Sequence, residues 1–334
     1  MASTLAAEAA EPAPSRARRI VPPAAIFLIL ALLPVVAALA RQQYLVDLAT
    51  RVMVYAVAAV ALELLVGYGG LISFGHAAFI GLGAYAVGIL SAHGIGDALI
   101  ALPTAIIAAM LFAWLTGIVC LRTKGVYFIM ITLAFGQMIF FVATSLAPYG
   151  GDNGLTIAAR NTVAGFALMK SDRGFYYVTL VCLLATYLFC RALVASRFGR
   201  VLRGGKQNAT RMATIGFTIR RFQLVAYIIT GGLGGLSGFL LANSAEFVSP
   251  AYMSWQQSGE LIVMVILGGL GTLHGAIIGT AVYLVAEEWL SGITENWQVI
   301  FGPLLVLAVL FARGGLLGLG STLRQRLSEG GGNG

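Results

Sequence analysis

A few ionisable side chains lie inside otherwise apolar stretches of this chain. They are Glu63, His76, Glu260, Glu287 and Glu288, with His274 at an interruption of one stretch. Burying an ionisable group in a membrane is costly, so each is by default a hypothesis for ion or proton handling. Simpler explanations exist for most of them. Glu260, Glu287 and Glu288 lie near predicted span ends and can reach water, while Glu63 can bond to a neighbouring helix.

The histidines and cysteines do not predict a metal site. His76, His93 and His274 show neither HxxxH nor HExxH spacing. His76 is better explained as a neutral, hydrogen-bonded packing residue than as a ligand. The cysteines lie within apolar runs and form no CxxC pair: Cys120, Cys182 and Cys190. They indicate small core residues rather than a zinc site or a disulfide framework.

The residue patterns of an enzyme are also missing from the sequence. It has no GxSxG motif and no carboxylate pair placed beside a nucleophile at an aqueous face. Gly204-Gly205-Lys206-Gln207 comes nearest to a phosphate-binding loop, but the upstream glycine and the following Ser or Thr are absent. We therefore expect a protein that is not an enzyme, with no nucleotide-binding motif and no cofactor of its own.

The composition is that of a polytopic membrane protein. Hydrophobic residues make up 59% of the 334 residues and charged residues only 10%, against about 25% charged in an average soluble domain. The mean hydropathy is +0.90. The net charge of +8 does not indicate nucleic-acid binding, because the basic residues lie at the ends of apolar runs and not on a separate polar domain.

The apolar runs predict helices that cross a lipid bilayer, for which about 20 residues are needed. The runs are 24–40, 52–66, 71–92, 98–121, 125–147, 175–195, 222–242, 259–289 and 297–312. The run 259–289 is too long for one span and is interrupted by glycines, so we expect a helix pair or a re-entrant hairpin there. The predicted fold is an all-α polytopic membrane protein with 8–10 transmembrane helices and Gly-broken segments.

Charge placement predicts the orientation. Every charged residue from Arg197 to Arg221 is Lys or Arg, and such basic connections stay in the cytoplasm. Alternation then puts Arg122 and Lys124 inside and Glu246 outside. Counting 259–289 as two crossings or a hairpin returns the C-terminus to the inside, so both termini are expected to be cytoplasmic.

The domain organisation follows from these spans. We predict a disordered cytoplasmic tail over 1–22, one transmembrane domain over 23–318, and a cytoplasmic tail over 319–334 that ends in GGGNG. The connection 148–174 is expected outside, as a docking or gating surface or an ordinary turn. The first run resembles a secretory signal with Ala38-Leu39-Ala40 as the cleavage site, but its length favours a retained span.

Two glycine-interrupted segments resemble each other. GGLISFGHAA at 69–78 is similar to GGLGTLHGA at 268–276 when one gap is allowed. Paired segments of this kind are typical of duplicated transporter halves. Packing of helices through small residues is the alternative explanation for most of these glycines.

Several motifs in order carry a family resemblance. They are GYGGLISFGHAAFIGLGAY (67–85), LRTKGVYFIMITLAFGQM (121–138), GGDNGL (150–155), RFGRVLRGGKQNATRMATIGF (197–217), the long stretch 231–279 and LFARGGLLGL (310–319). Over about residues 45–320 the chain resembles the permease subunit of bacterial ABC importers for branched-chain amino acids, the LivM-type family.

This resemblance implies partners, a location and a substrate class. The chain would pair with a second homologous permease subunit as a heterodimer, with two cytoplasmic ATPases that use ATP, and with an extracytoplasmic binding protein. It would be a multi-pass protein of the bacterial inner membrane that imports Leu, Ile and Val. Urea, short amides or aromatic acids remain open as substrates. An ion-coupled secondary transporter or channel is the competing class, for which only Glu63 is a suitable carboxylate.

The resemblance also implies that 197–221 contains the helix that couples the permease to its ATPase. The matching positions are Arg203, Gly204, Ala209, Met212, Ala213 and Gly216. Many relatives carry acidic residues in this helix, whereas this chain has Gln207, Asn208 and alanines. We therefore expect contacts with the ATPase that are apolar or made by Arg203, Lys206 and Arg211.

The substrate pathway is predicted to follow the glycine-interrupted segments. The expected pathway residues are small or weakly polar, which suits a zwitterion with an apolar side chain. They are Ser73, Gly75, His76, Tyr85, Thr132, Gly136, Gln137, Gly268, Gly269 and Gly271. Substrate specificity would then lie chiefly in the binding protein.

Overall fold

The computed structural model describes residues 16–39, 42–163, 165–166, 169–294, 296 and 299–303. The helices are α1 (Arg16–Leu39), α2 (Tyr44–Glu63), α3 (His76–Ala92), α4 (Ala98–Cys120), α5 (Val126–Ser145), α6 (Asp172–Ala195), α7 (Arg197–Gln207), α8 (Ala209–Thr214), α9 (Ile219–Ala245), α10 (Trp255–Gly268) and α11 (Leu273–Ser291). In the described part of the chain the only sheet is the antiparallel pair β1 (Leu155–Thr156) and β2 (Phe247–Val248).

Five of the described helices are long and apolar enough to cross a membrane: Tyr44–Tyr68, Ala98–Cys120, Val126–Ser145, Asp172–Ala195 and Ile219–Ala245. Two shorter apolar helices, Pro23–Leu39 and His76–Ala92, and the bent pair α10–α11 accompany them. The prediction of an all-α polytopic membrane protein with broken segments is therefore confirmed. The last predicted run, 297–312, lies largely outside the described residues.

Two helix boundaries differ from the sequence prediction. The run 52–66 belongs to a longer helix, because α2 begins at Tyr44 and continues beyond Glu63 as a π-helical turn over Leu64–Tyr68. Polar residues in its first two turns, Asp47 and Arg51, interrupt the apolar pattern there. Helix α1 begins at Arg16, inside the segment predicted as a tail. Residues 1–15 and the C-terminal tail lie outside the described residues.

Helices α10 and α11 form the helix pair predicted for 259–289. Their axes bend by 116° at the break between Gly268 and Leu273. The far ends of both helices lie near the start of α2, because Arg51 pairs with Glu287 of α11 at 3.2 Å and Glu260 of α10 is within electrostatic range of both. The break itself lies at the other end of α2. The start of α10 and the end of α11 therefore lie on the same side of the molecule, with the break between them at the opposite end of α2.

The molecule has two distinct faces. The basic face carries α7, α8, the end of α4 and the start of α9. Arg220 of α9 joins the last two, since its Nη2 donates to the Ile118 carbonyl of α4 at 3.0 Å. The opposite face, here called the loop face, carries the described residues of the 146–171 connection and the β1–β2 pair, where Arg160 Nε lies 3.2 Å from Glu246 Oε1. Charge placement in the sequence predicts the same grouping of segments. The assignment of the basic face to the cytoplasm remains an expectation.

The core lies around α2, α3 and α9. Almost all of α2 from Val52 to Glu63 is buried. Helices α3 and α9 approach closely through glycine, since a Cβ at Gly83 would collide with the Gly235 backbone and one at Gly238 with the Ile80 carbonyl. This is the small-residue packing expected between membrane helices. Helices α4, α5 and α6 expose apolar side chains such as Leu115, Phe141 and Val181, as a lipid-facing surface requires.

Candidate coupling and translocation site

The first glycine break packs against α5. The Phe74 N–H donates to Thr132 Oγ1 at 3.2 Å, and the Gly75 N–H donates to Ser73 Oγ at 3.3 Å. A Cβ at Gly75 would collide with the Thr132 carbonyl, and a Cβ at Gly136 would lie 3.3 Å from Gly75 Cα. The structure therefore brings Ser73, Gly75, Thr132 and Gly136 together, as a narrow contact between an irregular segment and a helix.

His76 opens α3 directly after this break and is fully buried. Neither ring nitrogen has a hydrogen-bond partner among the described residues. The ring stands edge-on to Phe79, with centroids 5.2 Å apart. The prediction of a hydrogen-bonded histidine is therefore wrong, while its role as a packing residue agrees with the structure. The nearby Ser258 hydroxyl does not bond to the His76 ring. Its Oγ instead accepts from the Ala77 N–H at 3.1 Å.

Two predicted pathway residues lie apart from this contact. Tyr85 is more than two helical turns further along α3, and its buried hydroxyl has no partner in the described part of the chain. Gln137 is half-buried on α5 beside Gly136. Helical geometry points adjacent side chains about 100° apart, so Gln137 does not share the face that contacts Gly75.

The second break is fixed to the end of α2. Gly269 and Gly271 adopt φ of +107° and +91°, values that favour glycine. The Gly271 N–H donates to Glu63 Oε1, and Tyr68 Oη donates to the Gly271 carbonyl at 2.8 Å. Glu63 is fully buried, and its Oε2 finds no partner among the described residues. The sequence suggests a bond from Glu63 to a neighbouring helix; the structure instead shows a bond to the turn that joins α10 and α11.

Gly268 lies where the two helices of the bent pair are in close contact. A Cβ at Gly268 would collide with the Gly275 carbonyl. The predicted pathway glycines Gly268, Gly269 and Gly271 therefore form one compact turn, separate from the contact around Gly75. Each break precedes a helix that begins within a few residues, at His76 and at Leu273. The two similar sequence segments, 69–78 and 268–276, thus each form an irregular glycine-containing stretch followed by the start of a helix.

The basic face presents the helices α7 and α8. Asn208 caps α8 by accepting from the Arg211 N–H at 2.9 Å, and Gly216, with φ of +91°, follows its end. A Cβ at Gly204 would lie 2.8 Å from Met212 Sδ, so these two predicted coupling residues pack together. Ala209 and Ala213 lie on α8, which buries none of its residues.

Two basic residues of α7 contact this chain's own backbone. Lys206 Nζ donates to the Gly67 carbonyl at 2.7 Å. Arg203 Nη2 donates to the Val194 carbonyl at 3.1 Å, and its guanidinium lies 6.0 Å from the Tyr68 ring centroid. This differs from the expectation that both residues face a partner. Arg211, together with exposed side chains at Ile215 and Phe217, remains on the surface.

These contacts connect the basic face to the second break. We call three hydrogen bonds together the break linkage: Lys206 to Gly67, Tyr68 to Gly271, and Gly271 to Glu63. It runs from α7 through the π-helical turn of α2 to the turn between α10 and α11. The sequence does not predict that Tyr68 bonds to Gly271 or that Lys206 bonds to Gly67. In each of these hydrogen bonds the two residues lie more than a hundred positions apart along the chain. A π-helical turn is often found at functional sites.

Fold and site together define a class of protein. Several apolar spans surround two glycine breaks, and a basic helix pair is joined to one of the breaks. These are features of a membrane transport permease. The sequence profile of the branched-chain amino acid transport system permease component matches residues 44–310. The chain belongs to this family and is a multi-pass transport subunit of the ABC class.

Two curated relatives are similar along most of the chain. The high-affinity branched-chain amino acid transport system permease protein LivM of Escherichia coli (strain K12) is 25% identical over 296 residues, which cover 81% of this chain and 69% of the relative. The protein of the same name from Salmonella typhimurium (strain LT2) is 26% identical with the same coverage. No solved structure matches the chain.

Proposed function

We propose that this chain is the membrane-spanning subunit of a bacterial ABC importer that moves leucine, isoleucine and valine across the inner membrane. The observation that carries the proposal is the family match over residues 44–310. The two relatives, both named as branched-chain amino acid permeases, support the same substrate class.

The proposed importer has several other subunits. A second homologous permease subunit completes the membrane part as a heterodimer, and two cytoplasmic ATPases supply energy from ATP. An extracytoplasmic binding protein delivers the substrate and sets most of the specificity. This subunit performs no catalysis and holds no cofactor. The exposed Ile215, Phe217 and Arg211 on the basic face provide the apolar and cationic contacts through which an ATPase acts on α8.

Alternating access follows from this arrangement. Closure of the ATPases on ATP displaces α7 and α8, and the break linkage carries the displacement to the turn at Gly271. A turn held by a few hydrogen bonds can take up two discrete positions, as a gate requires. Movement there changes the spacing of α10 and α11 and so opens one side of the pathway as the other closes.

The predicted pathway residues then have two roles. Ser73, Gly75, Thr132 and Gly136 form a constriction where backbone packs on backbone. Gly268, Gly269 and Gly271 form the movable turn. A lining of small, weakly polar residues offers few charged partners to the substrate. A zwitterion with a hydrocarbon side chain can therefore pass along it without being tightly bound.

Uptake of labelled leucine tests the proposed function. Deleting the gene is expected to abolish uptake, and restoring it is expected to recover uptake that unlabelled isoleucine and valine inhibit. Urea and benzoate are the matched competitors that represent the other substrates served by related permeases. Competition by urea or benzoate with no effect of isoleucine would contradict the branched-chain assignment while leaving the permease class intact.

A further inference from the structure

A cavity of about 440 Å³ opens on the loop face beside the start of α2. Its wall combines charged residues, a buried tyrosine and apolar side chains, among them Asp47, Arg51, Tyr55, Glu288, Leu48 and Leu241. The volume falls within the range of about 300–1,000 Å³ that small-molecule sites occupy. None of the predicted pathway residues lies in this wall, so the cavity is separate from both glycine breaks.

The charges of the cavity are not balanced within the chain. Arg51 lies 3.2 Å from Glu287 and 3.6 Å from Glu288, while Asp47 has no ion-pair partner among the described residues. The wall holds two carboxylates, Asp47 and Glu288, and one guanidinium, which is also paired with Glu287 behind the wall, so negative charge is in excess. The side chains remain open to a ligand, since 42% of Arg51 and 36% of Glu288 are exposed. An additional cationic group would be stabilised here.

Tyr55 supplies a second and independent observation. Its side chain is only 6% exposed and lines the cavity, and no hydrogen bond of its hydroxyl is found among the described residues. Unlike the Tyr85 hydroxyl, the Tyr55 hydroxyl is not a buried atom without a partner, so it is accessible from the cavity. Asp47, Arg51 and Tyr55 follow one another at intervals of four residues, which places them on one face of α2. The hydroxyl therefore adds a neutral donor next to the charged pair.

We propose that this cavity binds the zwitterion of a small apolar amino acid as it enters from the loop face, an inference that rests on the proposed function. Asp47 and Glu288 bind the ammonium group, and Arg51 with the Tyr55 hydroxyl binds the carboxylate. Leu48 and Leu241 contact the hydrocarbon side chain. The site thus provides a partner for each of the three parts of leucine, and it is an entry site that precedes the glycine constriction.

Protection of an introduced thiol tests this site. Ser244 lines the cavity, so Ser244→Cys is labelled with a membrane-impermeant maleimide in right-side-out vesicles that hold the whole permease complex but no binding protein. Millimolar L-leucine is expected to slow labelling at least threefold. 4-Methylpentanoate and 3-methylbutylamine, which each lack one charge, are expected to leave the rate unchanged. The unmodified chain gives the background from Cys120, Cys182 and Cys190.

Variants assign the protection to the named groups. Ala92→Cys, exposed on the loop face outside the cavity, is the matched probe that leucine should not protect. In the Ser244→Cys background, Arg51→Met is expected to remove protection, and Tyr55→Phe, which keeps the ring, to raise the half-protecting concentration several-fold. Protection that survives both changes would overturn the proposal.

Uptake of labelled leucine by intact cells of the same strains separates this proposal from the proposed function. Leucine import without protection at Ser244→Cys would overturn the entry site and leave the importer standing. Labelling blocked by added binding protein regardless of leucine would mean that a protein docks on the cavity, and it would also overturn the site. Absence of uptake in the unmodified strain would remove the proposed function itself.

Discussion

Replacing Gly75 by leucine is expected to abolish leucine uptake. A Cβ at this position would overlap the carbonyl oxygen of Thr132, which is backbone and cannot rotate away. The segment and α5 would have to separate at a buried contact, and overpacking of this kind costs about 1–3 kcal/mol or more. The measurement is uptake of labelled leucine, normalised to the amount of chain in the membrane.

Two other glycines give a graded control for this result. Gly136→Ala brings a Cβ within 3.3 Å of Gly75 Cα, so we expect a partial loss of uptake. A Cβ at Gly96 would meet no heavy atom within 4 Å, and the φ of Gly96 is not positive, so Gly96→Leu should transport normally. Normal uptake by Gly75→Leu would show that this contact is neither a constriction nor a packing requirement.

Replacing Glu63 by leucine is expected to lower leucine uptake by about tenfold or more. The change leaves the Gly271 N–H without its acceptor inside the protein, and an unsatisfied buried donor costs on the order of 1–3 kcal/mol. About 1.4 kcal/mol corresponds to a factor of ten. Glu63→Gln keeps a carbonyl acceptor in the same place, so we expect it to lose much less.

ATP hydrolysis distinguishes loss of coupling from loss of folding. A complex carrying Glu63→Leu should assemble and hydrolyse ATP, but its hydrolysis should no longer be matched by leucine uptake, because the break linkage is interrupted. Asp152→Asn, which changes an exposed carboxylate on the loop face, is the matched control and should retain both activities. Wild-type uptake by Glu63→Leu would contradict a role for the linkage.

The fold is predictable from the sequence where apolar length and glycine carry the information. The spans over α4, α5, α6 and α9 agree with the predicted runs to within a few residues, since a membrane helix must satisfy its own backbone and needs a continuous apolar stretch. The bend between α10 and α11 is predictable because four glycines interrupt a run that is too long for one span. Glycine-containing breaks also precede the two helices that begin at His76 and Leu273.

The site is less predictable, because its contacts join distant parts of the chain. Lys206 lies in a basic segment whose composition indicates topology, yet its Nζ bonds to the Gly67 carbonyl. His76 is expected from its type to have a partner, but the aromatic surroundings of Phe79 give it none among the described residues. Arg51 directly precedes the predicted run 52–66, and its pairing with Glu287 arises only when α2 and α11 are packed together.

Reconstitution is the measurement that tests the central claim most directly. The chain would be purified with the second permease subunit and the ATPases and placed in proteoliposomes with the binding protein on the side that faces the loop face. We predict accumulation of labelled leucine that requires ATP, this chain and the binding protein, and that isoleucine and valine reduce. ATP hydrolysis without accumulation of leucine, isoleucine or valine by the intact complex would contradict the account.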